Sequence, residues 1–339
     1  MNTPNSNHNP IAIIGAGLAG LSCAHRLLAA GHTVHVLDKS RGPAGRMSTR
    51  RAEDDAGPWQ CDHGAQYFTA RDPAFRAEVA RWEAAGVAAR WDARLASFDG
   101  HAWTTPQTPV DRFVGTPRMT APAAWLADTL GPAGELQLQT TVQKIERTDG
   151  GWCLTSAEHG RHATTYSAVA LAVPAPQAAP LTAALAPEAA AVARSAQMRG
   201  SWAVMLRFAA PVPMGWDGAF INAGPLRWVA RDSSKPGRQG QETWLLHASP
   251  EWSEAHIEDD AEAVTRTLVD AFVALGGPAP LAATAHRWRY ADTEPPLELG
   301  CWWDDATRLG LCGDWLHGGK VEGAWRSGQA LARRMLAAV

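Results

Sequence analysis

Three glycines and one acid near the N-terminus have residue types and a spacing that suit phosphate and ribose groups. Gly15, Gly17 and Gly20 follow an apolar run that begins at Ile11, and Asp38 ends the next apolar run. The first glycine permits a tight turn, the second lets the backbone approach a pyrophosphate, and the third lets a helix pack on the strand. An acid about 20 residues further on accepts hydrogen bonds from ribose hydroxyls. The segment predicts a dinucleotide site whose ribose has no 2′-phosphate.

A second segment of this kind follows Asp38 and ends in Gly45, Arg46 and Met47. Gly45 allows a close backbone approach, and the planar guanidinium of Arg46 can donate two parallel hydrogen bonds to a pyrophosphate. Taken alone, an arginine-rich surface loop explains the segment equally well. Its position directly after the ribose acid makes phosphate binding the more specific interpretation.

A third segment lies near the other end of the chain, where Gly313 and Asp314 follow an apolar run and a glycine-rich turn leads to Gly323 and Ala324. Asp314 can accept hydrogen bonds from a polyol. A helix that starts at Gly323 can direct its partial positive charge at the edge of a flavin, where negative charge develops on reduction. An ordinary helix cap is the alternative for this segment alone. The three segments together predict that distant parts of the chain bind one flavin dinucleotide.

These residues require a strand–helix–strand unit at the start of an α/β fold. We expect a Rossmann-type FAD-binding domain that is discontinuous in sequence, with a substrate cap domain of mixed β-sheet plus helix. The predicted boundaries are a disordered polar tail at 1–10, an FAD-binding domain at 11–75, 116–175 and 300–339, and a substrate-binding domain at 76–115 and 176–299. Within them, periodicity predicts strands at 136–147, 152–156, 163–173, 201–208, 226–231, 243–249 and 284–290, helices at 73–86, 121–130, 258–275 and 321–338, and a polar loop at 233–240.

Composition excludes several classes of partner. The 339 residues carry a net charge of −3, so no basic excess draws the chain to nucleic acid or to an acidic membrane surface. No apolar run is long enough to span a membrane. The five cysteines are scattered, without a C-x-x-C pair or a His/Cys cluster, which predicts reduced thiols, a cytoplasmic location and no metal site. The sequence leaves the oligomeric state open.

Longer stretches around these segments resemble the bacterial renalase family, within the broader group of amine oxidase and p-hydroxybenzoate-hydroxylase-like flavoproteins. The resemblance is carried by Lys39–Arg51, Asp62–Ala70 and Cys312–Ala324, extends from about residue 11 to 339, and is vague in the cap. Ala44 stands where the broader family usually has glycine. The resemblance implies noncovalent FAD, a backbone pairing of Val142 with the adenine, and a passage of His63–Tyr67 along the isoalloxazine, with Gln66 or Tyr67 at the flavin face.

Pattern and resemblance together predict a set of cofactor-binding residues along the chain. These are Gly15, Ala16, Gly17, Leu18, Ala19, Gly20, Asp38, Lys39, Ser40, Gly45, Arg46, Met47, His63, Gly64, Ala65, Gln66, Val142, Gly313, Asp314, Val321, Glu322, Gly323 and Ala324. Substrate-pocket candidates on the cap side are Tyr67, Trp202, Arg227, His247, Trp288 and Tyr290, each with sheet-core packing or a solvated face as its alternative. His286, Trp288 and Tyr290 alternate onto one strand face.

Renalase-like activity would be oxidation of misreduced nicotinamide dinucleotides, the 2-dihydro and also the 6-dihydro isomers of NAD(P)H. A hydride would pass to FAD and the electron pair to O2, giving NAD(P)+ and H2O2. The partners would be the dinucleotide and O2. The flavin supplies the reactive atom, so no catalytic side chain is predicted.

Two other functions stay open. Amine oxidases commonly place a lysine-bound water near the flavin and two tyrosine rings around the substrate. The chain has four lysines, of which Lys235 lies in the polar loop, and three tyrosines, Tyr67, Tyr166 and Tyr290. These features make amine oxidation the second interpretation. A non-catalytic FAD-binding redox or interaction module is the third, because fold alone does not establish turnover.

Overall fold

A computed structural model describes residues 9–55, 57–106 and 110–338. Residues 1–8 of the predicted tail lie outside this range. Asn9 and Pro10, also assigned to that tail, are hydrogen-bonded: Asn9 Nδ2 donates to Gly150 O at 3.1 Å, and Pro10 O accepts from Ser167 N at 2.9 Å. Asn9 and Pro10 are therefore held by residues of the fold, unlike the disordered tail expected there.

The strands, in chain order, are β1 (Ile11–Ile14), β2 (Val34–Leu37), β3 (Thr49–Asp54), β4 (Gly57–Asp62), β5 (Ala88–Arg90), β6 (Leu95–Phe98), β7 (Trp103–Thr104), β8 (Phe113–Gly115), β9 (Gly134–Gln137), β10 (Val142–Thr148), β11 (Gly151–Ser156), β12 (Gly160–Arg161), β13 (Ala168–Leu171), β14 (Met198–Phe208), β15 (Gly218–Ile221), β16 (Leu226–Arg231), β17 (Glu242–Ala248), β18 (Ala282–Thr293), β19 (Trp302–Asp304) and β20 (Leu309–Leu311). The helices are α1 (Leu18–Ala29), α2 (Pro73–Ala84), α3 (Ala121–Asp128), α4 (Ala175–Thr182), α5 (Pro187–Ser195), α6 (Pro250–Ala255), α7 (Ala261–Ala274) and α8 (Lys320–Ala337).

The chain forms two compact units. The first contains the described residues up to Gly45, then Pro122–Met198 and the residues from Thr293 on, and the second contains Arg46–Ala121 and Arg199–Asp292. The first unit is built on a sheet with the strand order β19-β20-β13-β1-β2-β9, in which only the edge strand β19 runs antiparallel to its neighbour. This order reverses beside β1, as in nucleotide-binding α/β sheets, where ligands bind beyond the carboxyl ends of the strands.

Apolar residues on both faces of β1, β2 and β13 explain why this sheet is covered on two sides. On one face Ile11, Ile13 and Val36 pack with α1 and α8. On the other face Ile14 and Leu171 pack with α4, α5 and the small antiparallel sheet β10-β11-β12. The predicted α/β class with a Rossmann-type domain is confirmed.

The second unit is built on a mixed sheet with the order β18-β14-β17-β16-β15-β6-β7. One face of β14 packs Trp202, Val204 and Leu206 against helix α7. The opposite face carries Ala203 and Met205, which pack against Cys61 of the β3–β4 hairpin. Period-two alternation in β14 therefore separates a helix-covered core from a second core beneath the hairpin.

Several elements differ from the sequence prediction. The single strand predicted at 136–147 is wrong: β9 and β10 belong to different sheets, because Gln139 takes a positive φ of 51° and Thr140 N bonds to Asp38 O. The predicted strand 163–173 shortens to β13. The alanine-rich residues 176–198, expected in the cap, form α4 and α5 and belong to the first unit. Residues 46–75, expected with the FAD-binding domain, belong to the second unit, where their hairpin packs on β14 and β17.

Membrane-spanning helices are not found: none of the helices in the described part of the chain combines the length and apolar character that a crossing needs.

Candidate functional site

Of the three glycines in the turn after β1, two are packed against protein atoms and one borders open space. Gly15 has a φ of 112°, and a Cβ there would lie 2.5 Å from Ala172 O. A Cβ on Gly20 would lie 2.0 Å from Gly15 O, so both positions require glycine. Gly17 differs, since a Cβ there would meet nothing within 4 Å. It is the N-cap residue of α1, and no side chain caps the first N–H groups of this helix. An uncapped helix start of this kind suits a phosphate group.

Asp38 and the segment after it border the same turn. The Asp38 carboxylate accepts hydrogen bonds from Ala16 N and from Ser40 N, both at 2.7 Å. Ala44 N donates to Ala16 O at 3.0 Å, and a Cβ on Gly45 would lie 3.7 Å from the Gly17 Cα. The structure thus brings the acid and Gly45, both predicted, to the glycine turn.

Ala44 shows the effect of an alanine where glycine is usual. Its φ is 105° and it is buried, a conformation that side chains rarely adopt. The residue keeps its place in the turn through the bond of its N–H to Ala16 O. The methyl group is accommodated at the expense of backbone strain.

A second helix begins beside the first unit's β20. Gly313 N donates to Ser327 Oγ at 2.9 Å, and the carbonyl of Asp314 accepts from the N–H groups of His317 and Gly319. Helix α8 then starts at Lys320, after the N-cap residue Gly319, again without a side-chain cap. A Cβ on Gly323 would lie 2.0 Å from His317 O, so glycine is needed for the turn to fold back on the helix start.

Helices α1 and α8 pack directly on each other. Ser22 Oγ donates to Trp325 O at 2.7 Å, and a Cβ on Gly328 would lie 2.0 Å from Ala19 O. Because α1 follows β1 and α8 follows β20, in a sheet where these strands run parallel, both uncapped helix starts lie at the carboxyl edge of the sheet. Two electropositive helix starts and an acid at one edge fit a dinucleotide that carries a pyrophosphate, a ribose and a flavin.

Three further predicted residues have defined places. Val142 begins β10 and packs against the core that contains Leu37. Met47 is buried, and the Arg46 guanidinium donates to Ala291 O at 3.1 Å. The adenine role of Val142 and the pyrophosphate role of Arg46 stay predictions.

The second unit contains a buried group of charges, here named the ion cluster: Asp62, Asp232, Lys235 and Arg238. The Lys235 ammonium donates to Asp62 Oδ2 at 3.0 Å, to Asp232 Oδ1 at 2.7 Å and to Gln66 Oε1 at 3.2 Å. Arg238 Nη2 also donates to Asp62 Oδ2. The side chain of Lys235 is 0% exposed. Lys235 lies in the predicted polar loop at 233–240, but its ammonium is buried with charged partners and does not face solvent.

Opposing effects set the charges in the ion cluster. Burial alone would raise the pKa of Asp62, but the charges of Lys235 and Arg238 outweigh it and hold that pKa well below its usual range. Burial and the Asp62 charge raise the pKa of Asp232. Burial disfavours the Lys235 ammonium, yet the two carboxylates keep its pKa above the ordinary value. Lys235 is consequently a protonated lysine inside the protein.

Directly after Asp62, a group of rings forms what we name the imidazole–indole cluster: His63, His247, His286 and Trp288. The His63 ring stacks on Trp288 with centroids 5.2 Å apart, and the edge of His286 meets both rings at 4.6 and 4.5 Å. Trp288 Nε1 donates to His63 O at 2.8 Å, and His247 Nε2 lies 3.3 Å from the same oxygen. Among the described residues, the buried Nδ1 of His63 has no hydrogen-bond partner.

The imidazoles of this cluster are neutral near pH 7. Burial, with the charges of His286 and Arg50, lowers the pKa of His63 to about 4. Burial lowers the pKa of His247 to about 4 against the effect of the His63 carbonyl, and Arg227 adds to the decrease. Burial and Arg50 also lower the pKa of His286. The cluster is thus uncharged, with two exposed arginine side chains near it.

The other substrate-pocket candidates are distributed unevenly. Tyr67 packs against Trp91 and Trp228, with ring centroids 6.3 and 5.5 Å apart, and the Arg112 guanidinium lies 5.2 Å from its ring. Among the described residues, no ring contact joins Tyr67 to Tyr290, which is half-buried on β18. The ring neighbours of Tyr67 in the described structure are therefore tryptophans.

Trp202 and Arg227 lie in different surroundings. The prediction of Trp202 as a pocket residue is wrong: it is 2% exposed in the helix-covered core, and its Nε1 donates to His256 O at 2.9 Å. It sits on the opposite face of β14 from the residues near His63, as alternation requires. Arg227 lines a surface cavity of about 440 Å³ with Ser249 and Glu251.

Sequence reasoning missed the ion cluster. It named Trp228 as a further cap-side candidate, and the buried indole Nε1 of Trp228 has no partner among the described residues. No metal site competes for these side chains: the part of the chain that the structure describes has no group of three or more His, Cys, Asp or Glu arranged to hold one.

Comparisons with known proteins agree with this geometry. A family model described as flavin containing amine oxidoreductase matches residues 98–336, and one described as NAD(P)-binding Rossmann-like domain matches residues 13–82. Among curated proteins, the L-amino-acid oxidase of Sistrurus catenatus edwardsii is 48% identical over 52 residues, which are 15% of this chain and 10% of that protein. The enzyme of that name from Bungarus fasciatus is 35% identical over 77 residues, 23% of this chain and 14% of that protein. The chain thus matches only a small part of the length of these relatives.

Solved structures share the fold over nearly the whole chain. A protein from Exiguobacterium sp. 255-15 described as a protoporphyrinogen oxidase has a TM-score of 0.76 at 12% identity, over 97% of this chain and 99% of that chain. Putrescine oxidase bound to putrescine has a TM-score of 0.69 at 14% identity, and cyclohexylamine oxidase from Brevibacterium oxydans IH-35A has 0.71 at 13%, with the same coverage. At these identities the likeness establishes the fold alone.

Proposed function

The chain belongs to the flavin containing amine oxidoreductase family, and from that premise we propose that it oxidises misreduced nicotinamide dinucleotides. Its cofactor is FAD, held noncovalently. The proposed substrates are 2-dihydro-NAD(P) and, as a second isomer, 6-dihydro-NAD(P). The substrate loses a hydride and becomes NAD(P)+, and the electron pair passes with protons to O2, giving H2O2. Bound FAD supplies the hydride acceptor.

The observation that carries this proposal is the uncharged imidazole–indole cluster with its unpartnered His63 Nδ1. Flat rings stack well on a flat dihydronicotinamide ring. A buried nitrogen without a partner costs free energy unless a ligand satisfies it, and the carboxamide of a nicotinamide offers both a donor and an acceptor. Trp228 Nε1 offers a further donor.

Charge around the cluster favours an anionic substrate. Arg50 and Arg227 both act on the imidazoles. Arg227 pairs with Asp292 at 3.9 Å, whereas Arg50 has no ion-pair partner among the described residues. Guanidinium groups bind phosphates with paired hydrogen bonds. The positive potential would attract a dinucleotide and would repel a protonated amine.

In this reaction the side chains of the imidazole–indole cluster have to bind and orient the dihydronicotinamide ring and exclude water from it. No general base is needed, because hydride loss alone produces the aromatic nicotinamidium.

Amine oxidation is the second candidate, and the family model together with the fold of two amine oxidases supports it. Two observations count against a site with a lysine-bound water and two tyrosines. The three N–H groups of Lys235 already have three protein acceptors, so this ammonium has no donor left for a water. Tyr67 is flanked by tryptophans.

Rapid anaerobic mixing of the FAD-loaded protein tests these alternatives. The reagents are 2-dihydro-NAD(P), 6-dihydro-NAD(P), ordinary NAD(P)H, putrescine, cyclohexylamine and L-amino acids, each followed by flavin absorbance. We expect fast bleaching by the 2-dihydro isomer and slow or no bleaching by amines. Fast bleaching by amines alone would overturn the substrate proposal, and no bleaching by any reagent would favour the non-catalytic module.

A cytoplasmic location also stays a prediction, supported by free thiols at the described cysteines.

A further inference from the structure

Lys235 holds both ends of one short segment. Its ammonium bonds to the Asp62 carboxylate at 3.0 Å and to the Gln66 side-chain oxygen at 3.2 Å. The Gln66 amide in turn donates to Asp62 O at 2.6 Å and to Gly64 O at 3.2 Å. One buried cation therefore closes a small ring of hydrogen bonds around residues 62–66.

Apart from these bonds, single contacts hold this segment: Thr49 Oγ1 and Met119 N donate to Asp62 Oδ1, and Trp288 Nε1 donates to His63 O. Strand β4 ends at Asp62, and residues 63–67 form no strand or helix. The backbone of Ala65 donates to Arg46 O at 2.9 Å, and regular pairing resumes at Phe68, which bridges to Phe113. The positions of His63 and Tyr67 thus depend on side chains that anchor the segment.

Stability alone does not account for the ion cluster. Transfer of two cations and two carboxylates from water to the interior costs several kcal/mol per ion, and their attraction often only balances that cost. Apolar residues of similar volume would serve a core as well or better. In some proteins a buried charge network instead selects one arrangement of the residues around it.

We propose that Lys235 is a positioning residue that fixes residues 62–67 and, through the His63 carbonyl and ring, the imidazole–indole cluster. The substrate named for that cluster rests on the proposed function, whereas the positioning role does not. The ammonium of Lys235 donates to Asp62, Asp232 and Gln66, and the positioning role acts through these residues.

The test separates positioning from stability with a charge-balanced pair of changes. Lys235→Met alone leaves two buried carboxylates with one arginine, so the protein should lose stability. Lys235→Met with Asp232→Asn leaves one carboxylate and one arginine and should recover most of the melting temperature. Arg231→Met is the matched control. It breaks the partly buried pair with Glu242 at 2.7 Å, at the base of the same loop, and its side chain has no bond to residues 62–66.

Hydrogen–deuterium exchange of the FAD-loaded proteins gives a readout independent of substrate. In the double variant we expect exchange in residues 62–68 to accelerate at least tenfold, while the Arg231→Met protein keeps the wild-type rate there. Gln66→Leu, which removes the second anchor without changing any charge, should give the same acceleration. Unchanged exchange in both the double variant and Gln66→Leu would overturn the proposal.

Kinetics give the second readout. With 2-dihydro-NAD as substrate, the double variant should show a KM raised about tenfold with a smaller change in kcat. Recovery of KM together with the melting temperature would show a merely structural role and contradict the proposal. If the wild-type protein does not oxidise dihydronicotinamides, the proposed function fails, but the exchange experiment still decides whether Lys235 positions the segment.

Discussion

Trp288 and His63 are joined twice, by the 2.8 Å hydrogen bond from the indole Nε1 to the His63 carbonyl and by stacking of the two rings 5.2 Å apart. The first contact fixes the backbone of His63 and the second fixes its ring. Trp288 lies on strand β18, whereas His63 lies in an irregular segment that is far away in sequence. The sheet therefore fixes the position of this segment through the Trp288–His63 pair.

Trp288→Phe keeps an aromatic ring and removes the hydrogen-bond donor. Loss of one buried hydrogen bond corresponds to about 1 kcal/mol, so KM for 2-dihydro-NAD should rise roughly five- to tenfold. Trp303→Phe removes a comparable donor, which bonds to Asp305 in the first unit, and should leave KM unchanged. Steady-state kinetics check this. Equal effects in both variants would contradict a specific role for the Trp288–His63 pair.

Stability should depend on pH through the buried imidazoles. The pKa values of His63 and His247 lie near 4 in the folded protein and near 6.5 in an unfolded chain. Between these values the unfolded state binds more protons than the folded state. The free energy of unfolding should therefore decrease as pH falls from about 6.5 toward 4. Above about pH 6.5, the contribution of these two histidines to that free energy should be constant. Urea unfolding at a series of pH values measures the slope.

His247→Gln provides the control for that prediction. It removes one of the two groups, so the decrease in unfolding free energy between pH 6.5 and 4 should become smaller. His101→Gln changes an exposed histidine and should keep the wild-type slope. A slope that His247→Gln leaves unaltered would show that this imidazole is not held neutral by the fold.

Alanine substitutions at Gly17 and Gly20 should have different effects, the first on FAD binding and the second on protein stability. Gly17→Ala places a methyl group where the protein has no atom within 4 Å, so the unfolding free energy of the FAD-free protein should hardly change, while FAD affinity falls at least tenfold. Gly20→Ala places a methyl 2.0 Å from Gly15 O and should destabilise the FAD-free protein itself. Fluorescence titration with FAD and urea unfolding measure the two effects. Full FAD retention by Gly17→Ala would exclude the pyrophosphate from this turn.

Ala44→Gly should stabilise the protein. An alanine at φ 105° carries strain of about 1–3 kcal/mol, which exceeds the roughly 0.5–1 kcal/mol that glycine's freedom in the unfolded chain costs. We expect a gain of about 1 kcal/mol in the unfolding free energy. Ala77→Gly, at an exposed position inside α2, should instead lose about 1 kcal/mol. Destabilisation by both changes would show that Ala44 is not strained.

Short-range sequence patterns were enough to predict the nucleotide-binding turn, its acid and the alternation of side chains in β18. The glycine turn, Asp38 and the start of α8 are short-range signals whose geometry follows from residue type, and the structure places them at one sheet edge. The alternation of Trp288 and His286 onto one face of β18 was predictable for the same reason. Period two also explains the error at Trp202, since alternation alone does not say which face of β14 a helix will cover.

Features that depend on contacts between residues far apart in sequence could not be predicted. The bond from Lys235 to Asp62 joins residues 173 positions apart, and a lysine in a polar, glycine-containing stretch looks like a solvated one. The strand break after Gln137 depends on a bond from Thr140 to Asp38, which periodicity does not reveal. The places of α4 and α5 depend on small alanine side chains that fit against the sheet, a packing property that is absent from an alternation pattern.

Anaerobic titration of the FAD-loaded protein with 2-dihydro-NAD is the most direct test of dihydronicotinamide oxidation. We expect complete loss of flavin absorbance at one equivalent, formation of one equivalent of NAD+, and one equivalent of H2O2 when O2 is admitted. A flavin that stays oxidised with excess 2-dihydro-NAD but bleaches with an amine would contradict it.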